Sequence, residues 1–382
     1  MRGLAFVADR LCCVSCLAVV VLAASAVLTG CSRGTSAPEA EIWRFAIEES
    51  KGSVQHQYAM RFKELIEERT AGDVEVVVYP YGTLGTSTQI TEQLSLGVVQ
   101  FAMASPGSLG KFIPELQVFL LHFVLPQRPA DVQNVLADPQ LIAFLDPLYA
   151  AKGLNLLSMY SEGQMAWTLK EEVRQPDDFS GLKMRVMTSP ILLAAYGAYG
   201  ASPTPMPYSE VYSGLQLNMI DGQVNPVFAI ERQKFHEVTD WLIFPGHSSF
   251  VTTAAGNRQF LAALSDSRRQ LVTDVIAELD PWIFDIQTEL ESLRLVDILR
   301  DTLRQRRDLH LIGDAESLLA CFTPEQRREL VDENPFLTLE PPLTADEVEA
   351  FREASEDVQD VFLSIGGSDA TRVLAQVREA SP

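Results

Sequence analysis

The chain has 382 residues, which exceeds the size at which one hydrophobic core stops growing and predicts two domains or one elaborated domain. Hydrophobic residues make up 47% and charged residues 21%, a globular composition that argues against a disordered, collagen-like or polytopic membrane chain. The formal charge of −21 would repel a phosphate backbone, so nucleic acid is excluded as a partner.

The first thirty residues have the layout of a secretory signal. A short basic start precedes an uncharged apolar run at residues 11–29. The run ends in Leu28-Thr29-Gly30-Cys31, which resembles the lipobox of bacterial lipoproteins, where the cysteine carries the lipid. We therefore interpret residues 1–30 as a lipoprotein signal peptide, Cys31 as the lipidation site and residues 31–40 as a flexible tether. An uncleaved membrane helix is the alternative, and both place the body outside the cytoplasm at a bacterial membrane.

Cysteine usage in the rest of the chain argues against a disulfide framework. Four of the five cysteines lie within the first 31 residues, and Cys321 is solitary. Cys321 is predicted to be an inert thiol packed under a helix.

The first half of the body follows a β-α-β rhythm, which predicts a mostly parallel sheet with helices on its faces. A threonine and serine cluster at residues 86–88 can cap the second helix. The predicted elements are a strand at 43–48, a helix at 57–69, a strand at 74–79, a helix from the cap to Gly97 and a strand at 98–103.

A second copy of this rhythm lies downstream, with a helix at 207–219 and a short strand at 223–226. Two similar α/β halves with a cleft between them are therefore expected, and such clefts are favoured ligand sites. From Asn257 onward the pattern is predominantly helical, and a long helix is expected to brace both halves. The predicted helices are 259–280, 282–305, 346–365 and 369–380.

Catalytic and metal-binding motifs are missing from the sequence. It contains no GxSxG, HExxH, P-loop or GxGxxG motif, and the five histidines show no metal-ligand spacing. His56 and His247 are placed where they could line a cleft, although an exposed or structural imidazole is the more common role. The sequence thus indicates a protein that is not an enzyme and carries no metal or cofactor.

Arg185 is the strongest candidate for binding a ligand. It lies in an alternating strand, Lys183 to Met187, where its apolar neighbours indicate that it points into a partly enclosed space. Its rigid guanidinium matches a carboxylate bidentately, and a structural ion pair is the alternative. Asn225 precedes Pro226, which favours an extended backbone, so its amide would project beside the arginine. A simple turn is the alternative for the Asn-Pro pair.

Three segments carry a family resemblance. They are Gly181-Leu182-Lys183-Met184-Arg185-Val186, the stretch from Gly200 to Gln216 (GASPTPMPYSEVYSGLQ) and Asp221-Gly222-Gln223-Val224-Asn225-Pro226. Tyr79 to Gly85 (YPYGTLG) and Phe112 to Glu115 (FIPE) add to it. The chain resembles the solute-binding proteins of TRAP (tripartite ATP-independent periplasmic) transporters of the DctP type.

The resemblance implies a two-lobe, periplasmic-binding-protein-like α/β fold with a long bracing helix and a helical C-terminal region. We expect lobe I to comprise 41–160 plus 250–280, and lobe II to comprise 161–249 plus 281–382 with the C-terminal extension. Two departures from the family pattern are the lack of an arginine after Glu162-Gly163 and the presence of Val224 where relatives carry an acid. The segment 308–341 matches no known pattern.

The expected function is capture of a small carboxylate-bearing organic acid outside the cytoplasm and its delivery to TRAP permease membrane subunits. By the resemblance, Arg185 binds the carboxylate, Asn225 assists and Tyr208 contacts the solute. The remaining candidates for ligand binding are Ser105, Glu162 and His56. The alternatives are an exported enzyme with Glu162 or His56 as its base, and a ligand-sensing lipoprotein that acts through its helical tail.

Overall fold

Strands and helices alternate along the chain and build one mixed sheet in the computed structural model, which describes residues 40–381. The predicted signal peptide, Cys31 and the predicted tether up to residue 39 lie outside the described residues. Within 40–381 the strands are β1 (Glu41–Ala46), β2 (Val74–Tyr79), β3 (Phe101–Ala104), β4 (Leu154–Leu169), β5 (Lys183–Val186), β6 (Ser202–Pro205), β7 (Gly222–Pro226), β8 (Trp241–Ile243), β9 (Ser249–Asn257), β10 (Leu309–Ile312) and β11 (Leu337–Glu340).

Helices cover both faces of this sheet. The α-helices are α1 (Val54–Arg69), α2 (Ser87–Ser95), α3 (Pro106–Leu109), α4 (Pro129–Leu136), α5 (Pro139–Ala150), α6 (Pro190–Ala198), α7 (Val211–Gln216), α8 (Val227–Arg232), α9 (Arg258–Ala263), α10 (Asp266–Gln305), α11 (Ala315–Leu318), α12 (Pro324–Arg327), α13 (Ala345–Ser355), α14 (Val358–Ile365) and α15 (Ala370–Ala380). Short 3₁₀ turns at Pro114–Leu120, Pro176–Phe179, Tyr208–Glu210 and Phe235–Glu237, and a π turn at Arg328–Asp332, join some of them.

The sheet runs in the order β11-β10-β8-β4-β9-β3-β1-β2, with β7, β5 and β6 attached through β4. β1 pairs in parallel with β3, and β5 pairs in parallel with β6 and β7, as the β-α-β rhythm predicts. β4 and β9 run antiparallel to their neighbours. The α/β class and the two-lobe fold are therefore confirmed, with a sheet that is mixed rather than uniformly parallel.

Several predicted elements have different bounds in the structure. β2 lies where the sequence predicts it, but the strand predicted from residue 98 begins only at Phe101. The helix predicted at 207–219 is reduced to a 3₁₀ turn followed by α7. The proline-rich crossing at 202–207 contributes β6, which lies at the end of its strand path, where missing N–H groups cost little.

β4 is the longest strand and pairs with two different sets of neighbours. Its first half pairs with β9, and its second half pairs with β7 and β8. The β4–β9 register shifts between Ser161 and Gln164, which marks a bulge at Glu162-Gly163. Gly163 has a φ of +116°, and a Cβ there would lie 3.1 Å from Gln287 Nε2, so both backbone and packing favour glycine.

α10 braces the molecule, as predicted. Val275, Leu279 and Ile283 pack in a core that includes Trp43 and Phe62, while Leu295, Leu299 and neighbours farther along the helix pack against β10. The sequence predicts a break at Pro281, but the helix continues through it, because the packing on both sides compensates for one lost N–H bond. No helix within residues 40–381 has the length and apolar character needed to cross a membrane.

The segment 308–341, for which the sequence suggested no fold, adds two strands to the sheet. β10 pairs in parallel with β8, and β11 pairs in parallel with β10. The region after Asn257 is predominantly helical, as expected, but the prediction for it did not include these two strands. Strands of four residues are too short for their periodicity to be read from sequence alone.

Two further predictions for the C-terminal region are wrong. The helix predicted at 346–365 is interrupted after Ser355, whose Oγ donates to the Arg352 carbonyl oxygen and so competes with the helical backbone bonds. Cys321 is exposed rather than packed under a helix, because Leu319 and Phe322 take the buried positions beside it.

The C-terminal helices contact both halves of the molecule. Phe351 of α13 packs edge-on against Trp167 of β4 at 5.2 Å between ring centroids. Val373 and Val377 of α15 belong to the core that contains Leu141 and Leu145 of α5. The lobe boundaries given above remain a prediction.

Removal of the N-cap of α10 should cost a modest amount of stability. Ser265 accepts a hydrogen bond from the Arg268 N–H at 3.3 Å, so Ser265→Ala should lower the free energy of unfolding by about 1 kcal/mol. Urea unfolding would measure this loss, with Ser317→Ala at an exposed position of α11 as the control. Equal stability of the two variants would contradict the assigned cap.

Candidate functional site

Arg185 is buried near the end of β5, as its alternating strand predicts. The residue is 3% exposed, and its Nε and Nη2 donate to the Met206 carbonyl oxygen at 3.0 and 2.9 Å. These bonds fix the guanidinium from one side. Nη1 forms no hydrogen bond within the described part of the chain, so that side of the fork is available to a ligand.

A cavity of about 160 Å³ opens beside this guanidinium. Its wall combines groups from both halves of the sequence: Tyr81, Thr86, Ser87, Thr88, Gly107, Ser108, Arg185, Met187, Thr188, Met206, Pro207 and Tyr208. Tyr81 and Tyr208 pack edge to face with ring centroids 5.6 Å apart. A small solute would therefore lie between polar groups and two aromatic rings.

Two consecutive glutamates follow β1 and are buried near Arg185. Glu48 accepts from the Ser105 backbone N–H at 2.8 Å and from the Ser108 hydroxyl. Burial raises the pKa of Glu48 to about 7. Burial and the neighbouring Glu48 raise the pKa of Glu49 to about 8, although Arg185 acts in the opposite direction.

Glu162 brings a third buried carboxyl group to the site from the bulge in β4. Gln55 Nε2 donates to Glu162 Oε1 at 2.8 Å and to Thr252 Oγ1 at 3.2 Å. Burial first, and then the charge of Glu49, raise the pKa of Glu162 well above its usual range. Three carboxyl groups thus share one buried site with one arginine.

Several buried polar atoms in this region have no hydrogen-bond partner among residues 40–381. They are Glu49 Oε2, Ser50 Oγ, Ser105 Oγ, Glu162 Oε2 and the Tyr208 hydroxyl oxygen. Burial and the charge of Glu49 raise the pKa of Tyr208, so its hydroxyl is neutral and can donate. Buried polar groups are normally satisfied, and a cluster of exceptions indicates a surface shaped for a polar ligand.

Asn225 lies on the same face of the sheet as Arg185. Gln223 is the register partner of Arg185, and side chains two residues apart on a strand share a face. Asn225 Nδ2 donates to Gln223 Oε1, and Gln223 Nε2 donates to Thr168 Oγ1 at 2.8 Å. This chain of amides holds Asn225 in position.

The other predicted candidates occupy different surroundings. Tyr208 lines the cavity beside Arg185, and Ser105 donates its backbone N–H to Glu48. His56 is half-buried at the start of α1, where burial and then the charges of Lys51 and Arg232 lower its pKa. His247 is buried in an aromatic cluster, 4.5 Å from the His122 ring and 5.0 Å from the Trp167 ring.

Sequence reasoning missed Glu49, Gln55 and Gln223. One available signal was that Glu49 follows a strand in a parallel pair, since ligands bind near the carboxyl ends of such strands. Gln55 and Gln223 carried no comparable signal in the sequence.

A group of metal-ligand type lies elsewhere, at His236, Glu237 and Asp301. Lys234 Nζ is 2.8 Å from Asp301 Oδ2, so an ammonium group already neutralises that carboxylate. This arrangement gives no support to a metal site.

Comparison with known families gives a match to "Bacterial extracellular solute-binding protein, family 7" over residues 45–303. The chain is 35% identical over 346 residues to the ectoine/5-hydroxyectoine-binding periplasmic protein UehA of Ruegeria pomeroyi, covering 90% of this chain and 91% of the relative. It is 38% identical over 310 residues to the ectoine-binding periplasmic protein TeaA of Halomonas elongata, covering 78% and 90%.

Solved structures show the same similarity. The periplasmic ectoine-binding protein of the TeaABC TRAP transporter of Halomonas elongata superposes with a TM-score of 0.76 at 32% identity, covering 89% of this chain and 99% of that one. An open structure of a TRAP periplasmic solute-binding protein from Marinobacter aquaeolei gives 0.73 at 36% identity, covering 88% and 99%.

Proposed function

Because the chain belongs to the bacterial extracellular solute-binding proteins of family 7, we propose that it captures a small zwitterion of the ectoine class for a TRAP permease. Its relatives are solute-binding proteins of TRAP transporters and not enzymes, and this chain is a protein of the same kind. The proposal narrows the carboxylate-bearing acid expected from sequence to one that also carries a cationic group.

The observation that carries this proposal is the presence of Arg185, Glu49 and Glu162 in one buried region. Arg185 offers Nη1 to a solute carboxylate. Glu49 Oε2 and Glu162 Oε2 are unpartnered acceptors within the described residues, suited to the N–H groups of a cation. Ectoine combines a carboxylate with a delocalised amidinium, which matches both requirements.

The charges of the buried site distinguish zwitterions of the ectoine class from dicarboxylates. An ion pair at about 4 Å and an effective dielectric near 20 is worth roughly 4 kcal/mol. A first carboxylate gains this from Arg185, but a second would be buried beside Glu49 and Glu162 without a second buried cation among residues 40–381, and burial of an unpaired charge is costly. A single arginine therefore favours a zwitterion over a dianion.

Delivery to the membrane is part of the same proposal. Cys31 would carry a lipid that anchors the protein outside the cytoplasm, and the loaded protein would hand its solute to the TRAP membrane subunits. On binding, lobe I and lobe II, with the boundaries predicted above, would close over the solute. Mass spectrometry of the mature N-terminus would test the lipid, and an unmodified Cys31 would remove the anchor from the proposal.

Calorimetric titration of the purified protein with ectoine tests the solute class. We expect ectoine to bind at least about 100-fold more tightly than succinate, because only ectoine satisfies the glutamates as well as the arginine. Succinate serves as the matched anionic control. Tighter binding of succinate than of ectoine would contradict the proposed solute class while leaving the solute-binding role intact.

A further inference from the structure

The buried site contains more acidic groups than one arginine can neutralise. Glu48, Glu49 and Glu162 are each at most 5% exposed, and Arg185 is the buried cation among them. Three ionised carboxylates beside one guanidinium would leave a net charge of −2 shielded from water. Buried charge without a partner is costly, and carboxyl groups avoid that cost by keeping a proton.

The positions of the hydrogen bonds show which of these carboxyl groups are able to keep a proton. Glu48 accepts from a backbone N–H and from Ser108, which favours its ionised form. Glu162 accepts only at Oε1, from Gln55, and its Oε2 is unpartnered among residues 40–381. Glu49 also has an unpartnered Oε2. A proton on either of these two oxygens removes one buried charge.

The titratable and charged neighbours come from every element packed around this pair. Glu48 precedes Glu49, and Arg185 and Tyr208 act on Glu49 from the other half of the chain. Tyr160 lies near Glu162 on β4, with Tyr58 of α1 stacked on it and Asp280 of α10 beyond. Glu291 of α10 lies beside Gly163, and burial raises its pKa to about 7. The neutral contacts are Gln55 of α1, Thr252 of β9 and Ser50. Arg185 is the cation among these neighbours, so it cannot balance all of the acids.

We propose that Glu49 and Glu162 share a bound proton in the solute-free protein and release it when the cationic group of the solute enters. This inference rests on the proposed function for the identity of the solute. The N–H groups of the cation take over the contact that the proton provides, and the solute carboxylate binds at Arg185. The raised pKa values of both glutamates agree with this exchange.

The exchange also predicts that the site distinguishes zwitterionic solutes from purely anionic ones. A solute without a cation offers nothing to replace the proton, so its binding leaves the shared proton in place. A purely anionic acid is then bound by Arg185 alone, and its affinity does not rise with pH. Proton release is thus the signature of a zwitterionic solute.

Calorimetry of ectoine binding near pH 7, in phosphate and in Tris, measures the protons exchanged, because the two buffers differ in ionisation enthalpy. We expect release of between about half a proton and one proton per ectoine, and an affinity that rises by up to about tenfold per pH unit between pH 6 and 8. Glu49→Gln and Glu162→Gln should each abolish most of the release. Glu92→Gln, at an exposed position on α2, is the matched control and should retain it.

Infrared difference spectroscopy of the solute-free protein gives a readout that needs no ligand. The band of a protonated carboxyl group should be present at pH 7 in the wild type and weaker in Glu49→Gln and Glu162→Gln. Ectoine binding without proton release, or absence of this band, would overturn the inference. If the band weakens in both variants but ectoine fails to bind, the shared proton stands and the proposed solute class falls.

Discussion

Arg185→Ala should weaken ectoine binding by about 100-fold or more while the protein remains folded. Nη1 and the second N–H of Nη2 can donate two charge-assisted hydrogen bonds to the solute carboxylate, each worth about 1.5–3 kcal/mol. Loss of both gives at least about 3 kcal/mol, which corresponds to the stated factor. The guanidinium also supports the Met206 carbonyl oxygen, so the melting temperature should fall slightly.

Arg185→Lys separates the fork geometry from the charge. Lysine keeps the positive charge but loses the bidentate arrangement, so we expect a loss of roughly ten- to a hundred-fold in affinity. Lys183→Ala on the same strand, at an exposed position, is the control and should bind normally. A large drop in melting temperature with unchanged affinity would instead identify Arg185 as a structural residue.

The sequence predicted one side of this site well. The apolar neighbours Met184 and Val186 indicated a partly enclosed Arg185, and the structure buries all three side chains. The period of a strand alone would not have given this result, because Lys183 shares a strand face with Arg185 and is exposed. The extended backbone before Pro226 placed Asn225 on a strand beside it, since proline restricts the preceding residue. Both conclusions depend on local geometry.

The acidic side of the site could not be derived in the same way. Gln55 and Glu162 are 107 residues apart in sequence, and their contact depends on how α1 packs against the bulge in β4. The raised pKa of Glu49 depends on burial by several elements, which no local pattern encodes. Glu162 was a candidate through the family resemblance, but its partners became evident only in the folded chain.

The elements of the fold also differ in how well the sequence predicted them. β2 was predictable because a short β-branched run bounded by turn residues is typical of a strand. α10 was predicted as helical but as two helices, because Pro281 interrupts the pattern. β10 and β11 were missed because strands of four residues carry too little periodicity, and the pairing of β10 with β8 crosses more than sixty residues of sequence.

The stability of the solute-free protein should fall as the pH rises from about 6.5 to 8. Glu48 and Glu49 have pKa values of about 7 and 8 in the folded protein, against an ordinary value of 4.5. In this pH range the folded state therefore binds more protons than the unfolded state, and the free energy of unfolding decreases with pH. The slope is about 1.4 kcal/mol per pH unit for each group that is fully protonated when folded and ionised when unfolded.

Buried histidines act in the opposite direction but at lower pH. Burial lowers the pKa of His122 to about 3, so the unfolded state binds the extra proton mainly below the ordinary value of 6.5. Histidines of the unfolded state are about half protonated at pH 6.5 and largely neutral by about pH 7.5, so the carboxyl effect is separate above about pH 7.5, where urea unfolding at several pH values would measure it. Glu49→Gln should reduce the slope by removing one titrating group, whereas Glu92→Gln should leave it unchanged. A free energy of unfolding that stays flat or rises between about pH 7.5 and 8 in the wild type would show that these carboxyl groups are ionised in the folded protein. Arg185 would then face more negative charge than a single zwitterionic solute can balance.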